Sequence, residues 1–168
     1  VARLRGFDRL PDALQGARPG TVPDHPLFTA YLRVRAGLVS AGLMEVRPLP
    51  FTAGAAQECV RLANPVAEDE PFLRASILDT LSRRAEYNLS RMQGNVRIFE
   101  VGSIFIPRPA PLPLEELRVG ALVMGARRPP HFTEPHPPAY DAWDAKGLAE
   151  TIAAAAYPAQ PVTMLAGT

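Results

Sequence analysis

The stretch Val96-Arg97-Ile98-Phe99-Glu100-Val101-Gly102-Ser103-Ile104-Phe105-Ile106 decides the architecture. It is crowded with β-branched and aromatic residues, which suit a pleated, packed surface, so it predicts a strand. The alternation of apolar and polar residues slips near Phe99-Glu100. Such a slip points either to a bulge or to a strand buried on both faces. Beyond the proline-rich loop Arg108 to Pro113, a second strand is predicted over Leu117 to Met124. Two long strands joined by a loop favour antiparallel pairing, with helices packed to one side of the sheet, an α+β architecture.

Three helices surround this pair. The first is predicted from Pro26 to Ala41, with Asp24 as its cap and Gly42 at its exit; a proline in the first turn is tolerated because its missing N–H would have no partner there. Leu27, Tyr31, Val34, Leu38 and Val39 recur at helical spacing. A short strand over Glu45 to Leu49 should follow, and another over Val60 to Leu62. The second helix is predicted from Ser76 to Arg91, with Ser76 and Asp79 placed for a capping box and Ile77, Leu81, Ala85 and Leu89 along one side. The third runs from Trp143 to Ala156, with Leu148 and Ile152 facing the core and alanines supplying helix propensity. Upstream, Val1 to Pro23 reads as the end of a helix, stopped at Gly6, and a linker broken by Pro11, Pro19 and Pro23.

Composition bounds the function. At 168 residues with 47% hydrophobic and 21% charged residues, the chain is one globular domain's worth. A net charge of +1 leaves no electrostatic footprint for nucleic acid, although arginines recur at Arg83, Arg84, Arg127 and Arg128. The lone Cys59 rules out a disulfide framework, fits a reducing compartment and reads as a small half-buried apolar residue. No apolar run approaches the length that spans a bilayer, so no membrane partner is expected. Both ends read as internal positions of a longer chain.

Catalytic constellations are hard to assemble from these residues. His131 and His136 share a loop with Glu134 but lack the further ligands a zinc site needs. Glu68-Asp69-Glu70 reads as a solvated run, and Gly120 and Gly125 bracket a strand with no Lys-Ser or Lys-Thr following, which excludes a phosphate loop. The residues alone therefore stop at an α+β domain.

Four motifs extend that reading. Leu62-Ala63-Asn64-Pro65-Val66-Ala67-Glu68-Asp69-Glu70-Pro71-Phe72-Leu73-Arg74-Ala75-Ser76-Ile77-Leu78 resembles the segment of bacterial phenylalanyl-tRNA synthetase β subunits in which an Asn-Pro turn leads to Leu-Arg-x-Ser-Leu-Leu and a helix. Phe99-Glu100-Val101-Gly102-Ser103-Ile104-Phe105 is similar to that family's Phe-Glu-Ile-Gly-x-Val-Phe strand, and Asp144-Ala145-Lys146-Gly147-Leu148-Ala149-Glu150 to its Asp-x-Lys-Gly-x-x-Glu segment. Arg3 to Pro11 resembles the Arg-x-x-Gly-Tyr-Asp-x-Ile-Pro exit of the preceding helix-turn-helix-like domain. The four stand in the right order and cover most of the chain.

The resemblance implies a tail of that preceding domain plus linker over residues 1–23, and over 24–168 a C-terminally incomplete class II synthetase-like core: an antiparallel sheet flanked by helices and lacking the catalytic motifs. Asn64, Pro65, Arg74, Ser76, Glu100, Gly102, Lys146 and Gly147 are then structural positions, with no catalytic, cofactor or metal residue among them. In the active α subunit the matching strand continues into an arginine and a glutamate that handle ATP; here Phe105 is followed by Ile106-Pro107-Arg108, and Ile106 cannot grip phosphate oxygens as a guanidinium does. The family's Mg²⁺ carboxylates would precede Val1. ATP, Mg²⁺ and tRNA are accordingly implied for a cytoplasmic parent complex, phenylalanine–tRNA ligase, and not for this domain, which is predicted inactive alone. Its implied partner is the α subunit in an (αβ)₂ assembly. The helix from Pro26 to Ala41 matches the element class II proteins use between subunits, which nominates Tyr31, Arg35 and Leu38 for that contact. The alternative is a stand-alone class II-like domain that binds a nucleotide or RNA.

Overall fold

The computed structural model describes residues 2–9, 16, 20, 22–54 and 59–161. In chain order its elements are α1 (Ala2–Arg5), a 3-10 turn (Phe7–Arg9), α2 (Pro26–Ser40), β1 (Met44–Glu45), β2 (Phe51–Thr52), β3 (Val60–Arg61), β4 (Phe72–Leu73), α3 (Ile77–Ser90), β5 (Val96–Ile106), β6 (Leu114–Met124) and α4 (Ala142–Ala156). Gly6 ends α1 at φ +86° as expected. The expected linker breaks at Pro11 and Pro19, and the C-terminal residues from 162 onward, lie outside the described residues.

β5 and β6 pair antiparallel without a slip, from Val96 opposite Met124 to Ile106 opposite Leu114. The irregular alternation in β5 therefore reflects burial on both faces and not a bulge. On one face Val96, Ile98 and Ile104 pack with Ile77, Leu81 and Ala85 of α3. On the other, Phe99, at 0% exposure, packs with Val34, Leu38 and Leu43, flanked by Leu148 and Ile152 of α4. Helices consequently cover both faces of the ladder, α3 on one side and α2 with α4 on the other, which corrects the one-sided packing expected from sequence.

The sheet is also not wholly antiparallel. β1 joins β5 in parallel, Met44 opposite Ile98 and Glu45 opposite Phe99. It is shorter than the predicted Glu45 to Leu49, because Pro48 and Pro50 have no N–H to continue a ladder. A second, small antiparallel sheet has the order β2-β4-β3.

Local chemistry accounts for the helix ends. Pro26 disfavours helical geometry in the residue before it, so His25 is extended (φ −61°, ψ 135°) and becomes the cap in place of Asp24. Its Nδ1 accepts from the Leu27 N–H at 3.2 Å. α2 closes as a Schellman motif, Gly42 N–H to Val39 O at 2.9 Å and Leu43 N–H to Leu38 O at 3.1 Å, with Gly42 at φ +83°. α3 starts at Ser76, whose hydroxyl accepts from Leu78 N–H at 3.1 Å, and Asp79 does not complete a capping box. The capping box stands instead on α4, where Asp141 accepts from Asp144 N–H at 3.1 Å and Asp144 accepts from Asp141 N–H at 2.9 Å. In the helical stripes, Leu27, Val39 and Leu89 prove exposed, while Val34, Leu38, Ile77, Leu81 and Ala85 are buried.

Two backbone positions yield tests. A Cβ on Gly120 would lie 2.7 Å from Ile77 Cγ2 and 3.1 Å from Leu81 Cδ1, so this glycine sets how closely α3 approaches the sheet. Gly120→Ala is expected to lower stability by about 1–3 kcal/mol through overpacking, read as a shifted urea midpoint with an unchanged m-value. α3 ends in a second Schellman motif, Met92 N–H to Leu89 O at 2.9 Å and Gln93 N–H to Asn88 O at 3.0 Å, with Met92 itself at φ 61° and 94% exposed. Met92→Gly relieves a left-handed non-glycine residue without removing packing. It should raise the urea midpoint, by up to about 1 kcal/mol in stability.

Candidate subunit face and a buried ion pair

Arg74 follows β4 and precedes the Ser76 cap, so its backbone is held at a junction: its N–H donates to Pro50 O at 2.9 Å and its carbonyl accepts from Phe105 N–H at 3.0 Å. The side chain runs under β5. Nη1 and Nη2 donate to the two carboxylate oxygens of Glu100 at 2.8 and 2.5 Å, Nη1 also to Thr80 Oγ1 at 2.8 Å, and Nε to Ser103 O at 3.0 Å. Arg74 and Glu100 are 2% and 3% exposed. A Cβ on Gly102 would stand 2.5 Å from Arg74 Nη2 and 2.6 Å from Glu100 Oε1. The glycine is therefore what leaves room for the pair. Three positions that the resemblance nominated separately, Arg74, Glu100 and Gly102, thus form one contact.

The other nominated positions stand apart. Asn64 and Pro65 lie between β3 and β4, with Asn64 exposed. Lys146 and Gly147 are on exposed turns of α4, Lys146 Nζ to Glu150 Oε1 at 2.7 Å, with nothing within 4 Å of a Cβ built on Gly147. One turn earlier on this helix Trp143 is 75% exposed.

On α2, Tyr31 and Arg35 reach the same acceptor, Glu45 on β1. Tyr31 Oη donates to Glu45 Oε1 at 2.9 Å and Arg35 Nε to Oε2 at 2.6 Å, while Arg47 Nη2 donates to Oε1 at 3.1 Å. Burial pushes the Glu45 carboxyl up, but the hydrogen bonds from Arg35, Tyr31 and Arg47 outweigh it and hold the group below the usual carboxylate range. Leu38 is not on this face: it is fully buried beside Phe99 and is unavailable to a partner, because it sits one turn from Val34 on the inward side. The outward side carries Phe28, Leu32, Arg35 and Val39, spaced at i, i+4, i+7 and i+11, and its three apolar members are 50%, 43% and 51% exposed. Sequence reading missed Phe28, Leu32, Glu45 and Arg47. The signal for Phe28 and Leu32 was a second apolar stripe on a helix already credited with one.

Elsewhere, polar groups are tied to structural partners. Between α2, α4 and the sheet lies a groove of about 370 Å³ lined by Leu27, Ala30, Tyr31, Val101, Leu117 and Tyr157 among others. Its charged group, Arg33, donates to Ala155 O at 2.9 Å and Ala156 O at 3.2 Å, capping the end of α4. Glu134, between the two loop histidines, is held by Arg128 at 2.5 and 2.9 Å. Among the described residues no three His, Cys, Asp or Glu side chains group to hold a metal ion. Glu70 of the acidic run pairs with Arg83, and Cys59 is buried. β5 ends at Ile106, and Arg108 turns back so that its Nε donates to Leu112 O at 2.9 Å.

Removing one member of the buried pair strands the other. Glu100→Ala and Arg74→Ala are each expected to cost about 3–5 kcal/mol, and the double variant Arg74→Met/Glu100→Leu less than either single truncation, measured by urea denaturation of all three. The Glu45 contribution to stability is present above the ordinary glutamate range of about 4.3 and is lost as pH falls through its lower folded-state value. The difference in thermal midpoint between wild type and Glu45→Gln should therefore shrink from pH 7 to pH 3.

Comparison with known proteins follows the same lines. The described fold is similar to a Desulfitobacterium hafniense pyrrolysyl tRNA synthetase, at TM-score 0.55 and 15% identity over 77% of this chain and 45% of that one. It is similar also to a histidine–tRNA ligase subunit from Alicyclobacillus acidocaldarius, at TM-score 0.57 and 18% identity over 86% and 44%. At these identities the likeness speaks for fold alone. In sequence, the phenylalanine–tRNA ligase beta subunit of Geobacillus kaustophilus is 32% identical over 163 residues, 90% of this chain and 20% of the relative. That of Leifsonia xyli subsp. xyli is 36% identical over 133 residues, 72% and 15%. The chain thus spans about a fifth of the length of such relatives. The model of the "Phenylalanyl tRNA synthetase beta chain CLM domain" matches residues 10–164, and with that span covered the chain belongs to the phenylalanyl-tRNA synthetase beta chain family.

Proposed function

We propose that this chain is the non-catalytic core of a β subunit, packing against a catalytic α subunit in an (αβ)₂ complex that attaches phenylalanine to its tRNA in the cytoplasm at the expense of ATP. The observation that carries the proposal is the outward stripe Phe28, Leu32, Arg35 and Val39 on α2, a helix whose inward side is already buried by Val34 and Leu38. A helix with apolar residues on both sides is a helix awaiting a second cover, and apolar area of this kind rimmed by Arg35, Arg47 and Glu45 fits a protein partner.

A non-catalytic role is supported by what the β5–β6 ladder lacks. Both of its faces carry helices, and the groove left between α2, α4 and the sheet is lined mainly by apolar side chains, its one charged group, Arg33, already donating to the last carbonyls of α4. The position where the α-type strand would offer an arginine to ATP holds Ile106, followed by Pro107, and Arg108 is bound within its own loop. ATP, Mg²⁺ and tRNA then belong to the whole complex.

The test is light scattering after size exclusion, with the β chain alone and mixed with the α subunit. A stable complex is expected, and Leu32→Asp with Arg35→Glu should weaken it at least tenfold while leaving the circular dichroism unchanged. Separate elution of two folded subunits overturns the docking face. Saturable ATP binding to the isolated chain, measured by calorimetry, overturns the non-catalytic reading and favours a stand-alone nucleotide-binding domain.

A further inference from the structure

We draw no further inference here: the strongest candidate, the outer face of α4 where the exposed Trp143 and Tyr157 flank Gly147 and Ala154, is an unpartnered helix face, and nothing in the structure shows what covers it.

Discussion

A guanidinium and a carboxylate, both withdrawn from water under the middle of β5, organise the rest of this domain. Isolated in a protein interior, either charge would be prohibitively costly; together, with Thr80 and the Ser103 carbonyl completing the donor and acceptor set, they are satisfied. Their geometry constrains distant choices. Gly102 must lack a side chain, Arg74 must sit where its backbone links Pro50 to Phe105, and α3 must begin just beyond it. The small sheet β2-β4-β3 and the long ladder are thereby fastened at one residue. A buried pair of this kind is weak evidence for added stability. Here the pair also joins two elements, because Arg74 reaches Glu100 of β5 from the β4–α3 junction.

That constraint separates what could be read in the sequence from what could not. The strand Val96–Ile106 was legible to the residue, because β-branched and aromatic crowding and the flanking Gly94 and Pro107 bound it on both sides. α4 was legible from its alanines, and α2 from its proline start and glycine exit. Misreadings came where a local rule yielded to a stronger neighbour. Asp24 is the better intrinsic cap, yet Pro26 dictates that the capping position is His25. Met92 carries no hint of a left-handed conformation and takes it because Leu89 and Asn88 carbonyls need donors at the end of α3.

The candidate site was half legible for a related reason. Periodicity locates an apolar stripe but does not say which of two stripes faces inward, so it leaves Leu38 a contact candidate and passes over Phe28 and Leu32. Arg74 and Glu100 are separate positions in the family resemblance; they stand 26 positions apart in the chain, and no local pattern announces such a contact. Shape and charge here hold one surface helix in place, Tyr31, Arg35 and Arg47 all meeting Glu45 at the edge of the sheet.

The exposed position of Trp143 has an optical consequence. It is the chain's single tryptophan, and it stands on α4 in water with the Lys146 ammonium 6.0 Å from its ring centre. Its emission therefore already resembles that of an unfolded chain, and intrinsic fluorescence will be nearly blind to melting of the core around Phe99 and Leu81. The same lamp, dark to unfolding, will respond sharply to anything that comes to rest on that helix.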